Sequence, residues 1–278
     1  MIGGLYGNPY ALTRILELWS DELGEVRLVF NGDFNWFDVE PDDFRKINRE
    51  VLKHLALRGN VETELSAASD EAGCGCGYPD WVGDAEVERS NRIMAMLRET
   101  ARGEPRLSAR LSALPMHLVA EVGGVRIGIV HGDAESLSGW NFSQERLRTA
   151  PELATRALEG AGVEVFACSH TCLPVLQEAP GGHIGLIANN GAAGMPNFAG
   201  SHHGLITRIS VRPARQAIYG ARARGVHVDA IAVDYDHNAW LAHFDRVWPS
   251  GSPGALSYRN RIARGPDYGM VQALRLNS

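Results

Sequence analysis

The sequence predicts an α/β protein in which two mixed β-sheets pack as a sandwich flanked by helices, a four-layer αββα arrangement. Three observations carry that expectation. Five short apolar runs each stop at a small polar cluster: VRLVF at Asn31-Gly32-Asp33, HLAL at Arg58-Gly59-Asn60, VRIGIV at His131-Gly132-Asp133, VEVFAC at Ser169-His170-Thr171-Cys172, and IGLIA at Asn189-Asn190-Gly191. β-α units come first, a helical insert follows, and the second half is mostly strand. A chain of 278 residues with 45% hydrophobic content can also bury a large core. Ligands in open α/β sheets gather at the carboxyl ends of strands, so the five clusters are expected to converge.

The elements follow from spacing and punctuation. Asn8-Pro9 caps a helix over 9–20, and Pro41-Asp42-Asp43 opens another over 41–54. Short strands are predicted at 26–30 and 55–58. A loop without periodicity covers 69–83, and helix covers 84–114 in two pieces parted by Gly103-Glu104-Pro105. Gly123-Gly124 marks a hairpin between 116–121 and 125–130. A helix at 143–159 leads to strands at 163–168, 174–178, 184–188, 204–211, 215–219 and 227–233. Helix is predicted from 236 to 247, with Asp234-Tyr235-Asp236-His237 read as its cap, and one short helix in the last thirty residues. No linker divides the chain, which predicts a single domain over 1–278, with a helical insert at 84–114 and a C-terminal extension at 220–278.

Composition excludes several functions. A net charge of −6 without any Lys/Arg-rich run argues against general nucleic-acid binding or an anionic membrane surface. The apolar stretches fall far short of the roughly 20 residues that span a bilayer. MIGGLYGN has no secretory features, so a cytoplasmic location is expected. Cys74 and Cys76 are spaced too closely to bridge comfortably and are read as free thiols or ligands, and Cys168 as core packing.

Asp33, Asn60, His131 and His170 supply a carboxylate, an amide oxygen and two imidazoles. Each alone reads as a turn former or a hydrogen-bonded strand end, but four at successive strand ends point to a metal site. Mixed N/O ligation suits Mn, Fe or Zn. Asp133 is a candidate orienting acceptor for His131 or a helix cap. Trp36 and Phe37 either line a pocket or pack on helices. His202, His203 and Arg58 are weaker candidates for contacts with an anionic ligand.

These segments resemble the calcineurin-like metallophosphoesterases, especially the small bacterial and archaeal phosphodiesterase branch. The family pattern runs D-x-H-G-N, G-D, G-N-H-[DE], H-G and G-H-x-H. This chain has Gly4-Leu5-Tyr6-Gly7-Asn8, Gly32-Asp33, Gly59-Asn60-Val61-Glu62, His131-Gly132 and Ser169-His170-Thr171-Cys172, with NNGAAGMPNF at 189–198 matching a downstream segment. The resemblance implies one metal held by Asp33, Asn60, His131 and His170. The private ligands of the family's other metal are replaced by Gly4, Tyr6 and Cys172, and Val61 stands where the family has a histidine that assists the leaving group. A second metal is then expected only with thiolates from Cys172, Cys74 and Cys76.

The resemblance implies a metal-dependent phosphoesterase or phosphodiesterase that uses metal-activated water. Asp33, Asn60 and His131 are assigned to catalysis, and Tyr6, Asn8 and Asn60 to a small phosphorylated substrate. Two alternatives stay open. One is a catalytically silent relative that binds a phosphorylated ligand or partner; the other is a thiol-based metal or redox sensor. Met1-Ile2-Gly3 supply fewer apolar residues than the family's first strand, which predicts either a start further upstream or a shortened, weakened strand.

Overall fold

The computed structural model describes residues 1–66 and 73–276. Part of the loop predicted over 69–83, residues 69–72, therefore lies outside the described residues. The strands are β1 (Val29–Asn31), β2 (Leu55–Leu57), β3 (His117–Val122), β4 (Val125–Val130), β5 (Val165–Cys168) and β6 (Pro174–Glu178). They continue as β7 (Leu186–Asn190), β8 (Gly204–Ser210), β9 (Ala217–Ala223), β10 (Val226–Val233) and β11 (Leu274–Arg275).

One sheet has the order β11-β6-β7-β5-β4-β3 and is mixed, with β4, β5 and β7 parallel. β3 and β4 form the predicted antiparallel hairpin. On the other side lie the parallel pair β1-β2 and the antiparallel set β8-β10-β9. The first two residues join these pieces. Ile2 exchanges backbone hydrogen bonds with Val29 and Asn31, while Met1 pairs with Thr207 of β8 through its own N–H and C=O groups. The weak point expected from so short an N-terminal strand is thus a two-residue seam paired on both edges.

Two sheets with helices outside make three apolar interfaces. Between the sheets, Val29 and Leu57 meet Ile127, Ile129, Val165, Leu186, Val226 and Val228. Outside the side that carries β1 and β2, Phe30 and Phe37 pack with Ile15, Phe44, Ile47, Leu97, Trp240, Phe244 and Trp248, so Trp36 and Phe37 are core residues. Outside the six-stranded sheet, Phe142, Leu147 and Leu158 cover Phe166, Val175 and Ile187, and Cys168 packs here as predicted. The predicted four-layer αββα sandwich is the fold.

Helices Pro9–Ser20, Pro41–Val51, Asp84–Arg102, Pro105–Ser112 and His237–Val247 lie where the sequence placed them. Asp236 caps the last, accepting from the Ala239 N–H at 2.9 Å. Two departures have clear causes. The helix predicted over 143–159 is two helices, Gln144–Thr149 and Glu152–Ala161, because Pro151 cannot donate to the ladder. The C-terminal region carries a twelve-residue helix, Pro253–Arg264, opened by Ser252 and Pro253; its apolar positions are too sparse to show periodicity.

Candidate metal centre

Parallel pairing puts the carboxyl ends of β1 and β2 together, and likewise those of β4 and β5. Asp33, Asn60, His131 and His170 follow those four ends and meet in one buried place, with exposures between 1% and 5%. His131 Nε2 lies 3.3 Å from Asp33 Oδ2, 3.1 Å from Asn60 Oδ1 and 3.1 Å from His170 Nδ1. The fifth cluster does not reach them. Asn190 Nδ2 donates to the Gly3 and Leu205 carbonyls, and Asn189 Nδ2 to Thr171 Oγ1, so that strand end braces the N-terminal seam.

Hydrogen bonds outside the cluster fix which atom of each side chain faces in. His131 Nδ1 donates to the Asn31 carbonyl at 2.9 Å, and His170 Nε2 to the Cys76 carbonyl at 3.0 Å. Each ring therefore aims its other nitrogen at the cluster, the arrangement by which backbone carbonyls orient metal-binding histidines. Asn60 Nδ2 donates to the Cys74 carbonyl at 2.9 Å, which leaves Oδ1 inward. Asp33 Oδ1 accepts from the Val61 N–H at 3.1 Å, which leaves Oδ2 inward. Two nitrogens and two oxygens with lone pairs on a common point repel one another unless a positive charge sits among them. This donor set fits a divalent transition ion.

The electrostatics agree with that geometry. Burial works to raise the Asp33 carboxyl, but the charge and hydrogen bond of His131, with His170 beyond, hold it below its ordinary range. His131 is opposed by burial, yet the charge and hydrogen bond of Asp33 lift it above the ordinary imidazole value. Burial and the neighbouring His131 push His170 down to about 4, so it stays neutral at physiological pH with its lone pair available.

Glu62, part of the G-N-x-E match but given no role from sequence, ties two clusters together. Its carboxylate accepts from the backbone N–H groups of Gly59, Asp33, Phe34 and Asn35 at 2.8–3.2 Å, and it is wholly buried. The only sequence signal was its place three residues after the Gly59 turn. Asn31 was also missed as a contributor. Its carbonyl orients His131 while its Oδ1 accepts from Ser169 Oγ at 3.0 Å.

Other expected site residues lie elsewhere or are otherwise engaged. Asn8 is fully buried: Oδ1 caps the first helix, accepting from Tyr10 and Ala11, and Nδ2 donates to the Gly194 carbonyl. Asp133 does not orient His131; it accepts from Glu135, Ser136 and Asn141 and shapes its own loop. His202 stacks on His237 at 4.2 Å, and Arg58 Nη1 donates to the Ser112 carbonyl.

The cysteines need the largest correction. Cys74 and Cys76 form a disulfide, with Cα atoms 5.3 Å apart, so neither is a thiolate ligand in this state. Gly75, at φ +67°, supplies the left-handed turn that the close spacing needs. Cys172 lies outside the donor cluster, and its Sγ is 2.7 Å from Tyr6 Oη. Tyr6 and Cys172, which the sequence resemblance set at histidine positions, are thus in contact with each other. A Cβ on Gly4 would stand 2.7–3.0 Å from the Tyr6 ring, so that ring fills the space into which a side chain at position 4 would project. Burial raises both the Tyr6 phenol and the Cys172 thiol, leaving them uncharged.

No protein-family model matches the sequence, and no curated protein does. Among solved structures the chain is similar to a hypothetical protein from Pyrococcus horikoshii OT3, with a TM-score of 0.63 and 16% identity, covering 96% of this chain and 98% of that one. It is also similar to a metallophosphoesterase from Sphaerobacter thermophilus, with a TM-score of 0.59 and 15% identity over 95% of this chain and 97% of that one. The chain shares its architecture with that metallophosphoesterase. At these identities the likeness is one of fold, and the chemistry must be argued from the cluster itself.

Proposed function

We propose that the chain is a metal-dependent phosphoesterase with one divalent transition ion, Mn, Fe or Zn, held by Asp33, Asn60, His131 and His170. The observation that carries this reading is the inward convergence of four lone-pair donors, with both imidazoles fixed from behind by backbone carbonyls. Such an ion supplies Lewis-acid polarisation of a phosphoryl oxygen and acidifies water for attack at phosphorus.

The chain's own residues set the rest. Asp33 remains ionised and contributes the only carboxylate of the donor set. His131 and His170 are locked in one ring orientation, which reduces reorganisation during the reaction. Val61 offers no proton to a departing group, and general acid help typically contributes about 10²–10⁴ in rate. Substrates with good leaving groups, such as aryl phosphodiesters, are therefore favoured. Tyr6 and Cys172 fill the space beside Asp33 with neutral groups, which supports one ion per chain rather than two.

The proposed substrate is a small phosphorylated molecule in the cytoplasm; no described helix is long and apolar enough to cross a membrane. The low exposure of all four donors, together with Val61, favours a second reading: a catalytically silent protein that binds a phosphorylated ligand. Elemental analysis and turnover of an activated aryl phosphodiester separate the two. The first reading expects one transition ion per chain and metal-dependent hydrolysis, both lost in Asp33→Ala. Unchanged metal content in Asp33→Ala would overturn the ligand set. A fully loaded protein with no turnover would leave the silent reading.

A further inference from the structure

The donors of the centre are covered by a short strap, residues 73–78, which meets them mainly through backbone carbonyls, with the Cys76 sulfur also 3.6 Å from Asn60 Nδ2. Asn60 Nδ2 donates to the Cys74 carbonyl at 2.9 Å, and His170 Nε2 donates to the Cys76 carbonyl at 3.0 Å. The same Cys76 carbonyl accepts from Trp140 Nε1 at 3.1 Å, and the Trp140 ring stands edge-on to His170 with centroids 5.6 Å apart. Arg98 Nη2 donates to the Gly73 carbonyl, and the Cys74 N–H donates to Asn91 Oδ1, so the strap is moored on its outer side as well. Two of the four donor side chains thus owe their orientation to carbonyls of the two bridged cysteines. The bridge spans only Gly75, and it holds those carbonyls in one mutual arrangement.

We propose that the thiol–disulfide state of Cys74 and Cys76 sets the metal affinity of the centre, with the bridged form the tight-binding one. This rests on the metal centre proposed above. The reductant is a small dithiol. It delivers two electrons and two protons to the bridge, the S–S bond breaks to give two Cys thiols, and the dithiol closes to its own disulfide. Gly73, Gly75 and Gly77 then leave the strap free to leave its present shape. Once the Cys76 carbonyl departs, His170 loses the acceptor that fixes its ring, and Asn60 loses the acceptor that keeps Oδ1 inward. Losing such partners typically lowers metal affinity about 10–100-fold. Cys74 and Cys76 are positioning residues, acting through Asn60 and His170.

The test is metal affinity, measured by competition with a chromophoric chelator on Mn- or Zn-loaded protein before and after dithiol treatment, with intact mass reporting the gain of two hydrogens. The inference expects affinity to fall about 10–100-fold on reduction and to return on reoxidation. A Cys74→Ser/Cys76→Ser double variant should be weak throughout and indifferent to the dithiol, while Cys168→Ser should respond like the parent. Equal affinity in both states, or tighter binding on reduction through thiolate ligation, would overturn the inference and leave the centre standing. Failure to bind metal in either state would instead remove the centre.

Discussion

At the scale of the residue, Glu62 decides whether the donors can meet. Every group around its carboxylate is a donor, so an ion with acceptors on both oxygens is the only side chain of that shape that satisfies them all. Glu62→Gln turns one of those faces into a donor and strands two buried N–H groups, each worth about 1–3 kcal/mol. Urea unfolding should show a loss of about 2–6 kcal/mol, and metal affinity should fall with it. A loss under about 1 kcal/mol would mean that the Asp33 turn is held by something else. Asp38 makes a different point. Burial raises its carboxyl to about 7, its Oδ1 accepts from the Trp36 N–H, and its Oδ2 has no hydrogen-bond partner among the described residues. Between about pH 4 and pH 7 the unfolded chain releases this proton and the folded chain keeps it, so stability falls as pH rises through that window and levels off above it. Asp38→Asn, which cannot ionise, should flatten that slope and stabilise the protein at pH 8 by a few kcal/mol, read from chemical denaturation across pH. An unchanged slope would show that another group carries it.

At the scale of the element, the strands were legible because each apolar run ended at a small polar cluster, and the convergence of Asp33, Asn60, His131 and His170 because each lay just beyond a strand end. What stayed hidden depended on neighbours distant in sequence. Glu62 grips a turn 27–29 residues away, Asn31 orients a ring 100 residues away, and the fifth cluster braces the N-terminus instead of joining the centre. Cys74 and Cys76 were misjudged because spacing alone does not reveal that Gly75 takes a left-handed turn. The break at Pro151 was present in the sequence and outweighed by the periodicity around it. The N-terminal seam shows how little strand an element can need when it is tightly packed. A Cβ on Gly3 would lie 2.1 Å from Ser169 Cβ and 2.2 Å from Asn31 Oδ1, so the seam presses directly on the β1 and β5 ends. Gly3→Ala should cost about 1–3 kcal/mol or more and weaken metal binding, because the two strand ends must move apart. Gly83→Ala, which meets nothing within 4 Å, should leave both unchanged and serves as the control. Thermal unfolding and the chelator assay together check the pair.

At the scale of the whole molecule, the C-terminal helices are tied to the centre through one aromatic assembly. Phe37, four residues beyond Asp33, has its ring centroid 5.0–6.4 Å from those of Trp240, Phe244, Trp248 and Tyr258. Trp248 Nε1 also donates to the Phe37 carbonyl at 3.0 Å, and Arg261 Nη2 to the carbonyl of Cys172. The Asp33 turn is therefore packed from the far end of the chain. We expect the predicted insert and C-terminal extension to unfold with the sandwich as one unit. Trp248 is 1% exposed, and Trp248→Ala should cost about 3–5 kcal/mol in a single transition. Circular dichroism, which follows helix content, and the metal-induced rise in unfolding temperature, which follows the centre, should then report the same midpoint. Should the variant melt in two steps, with the centre binding metal after the C-terminal helices have gone, the aromatic assembly would be a separate attachment and not part of what holds Asp33 in place.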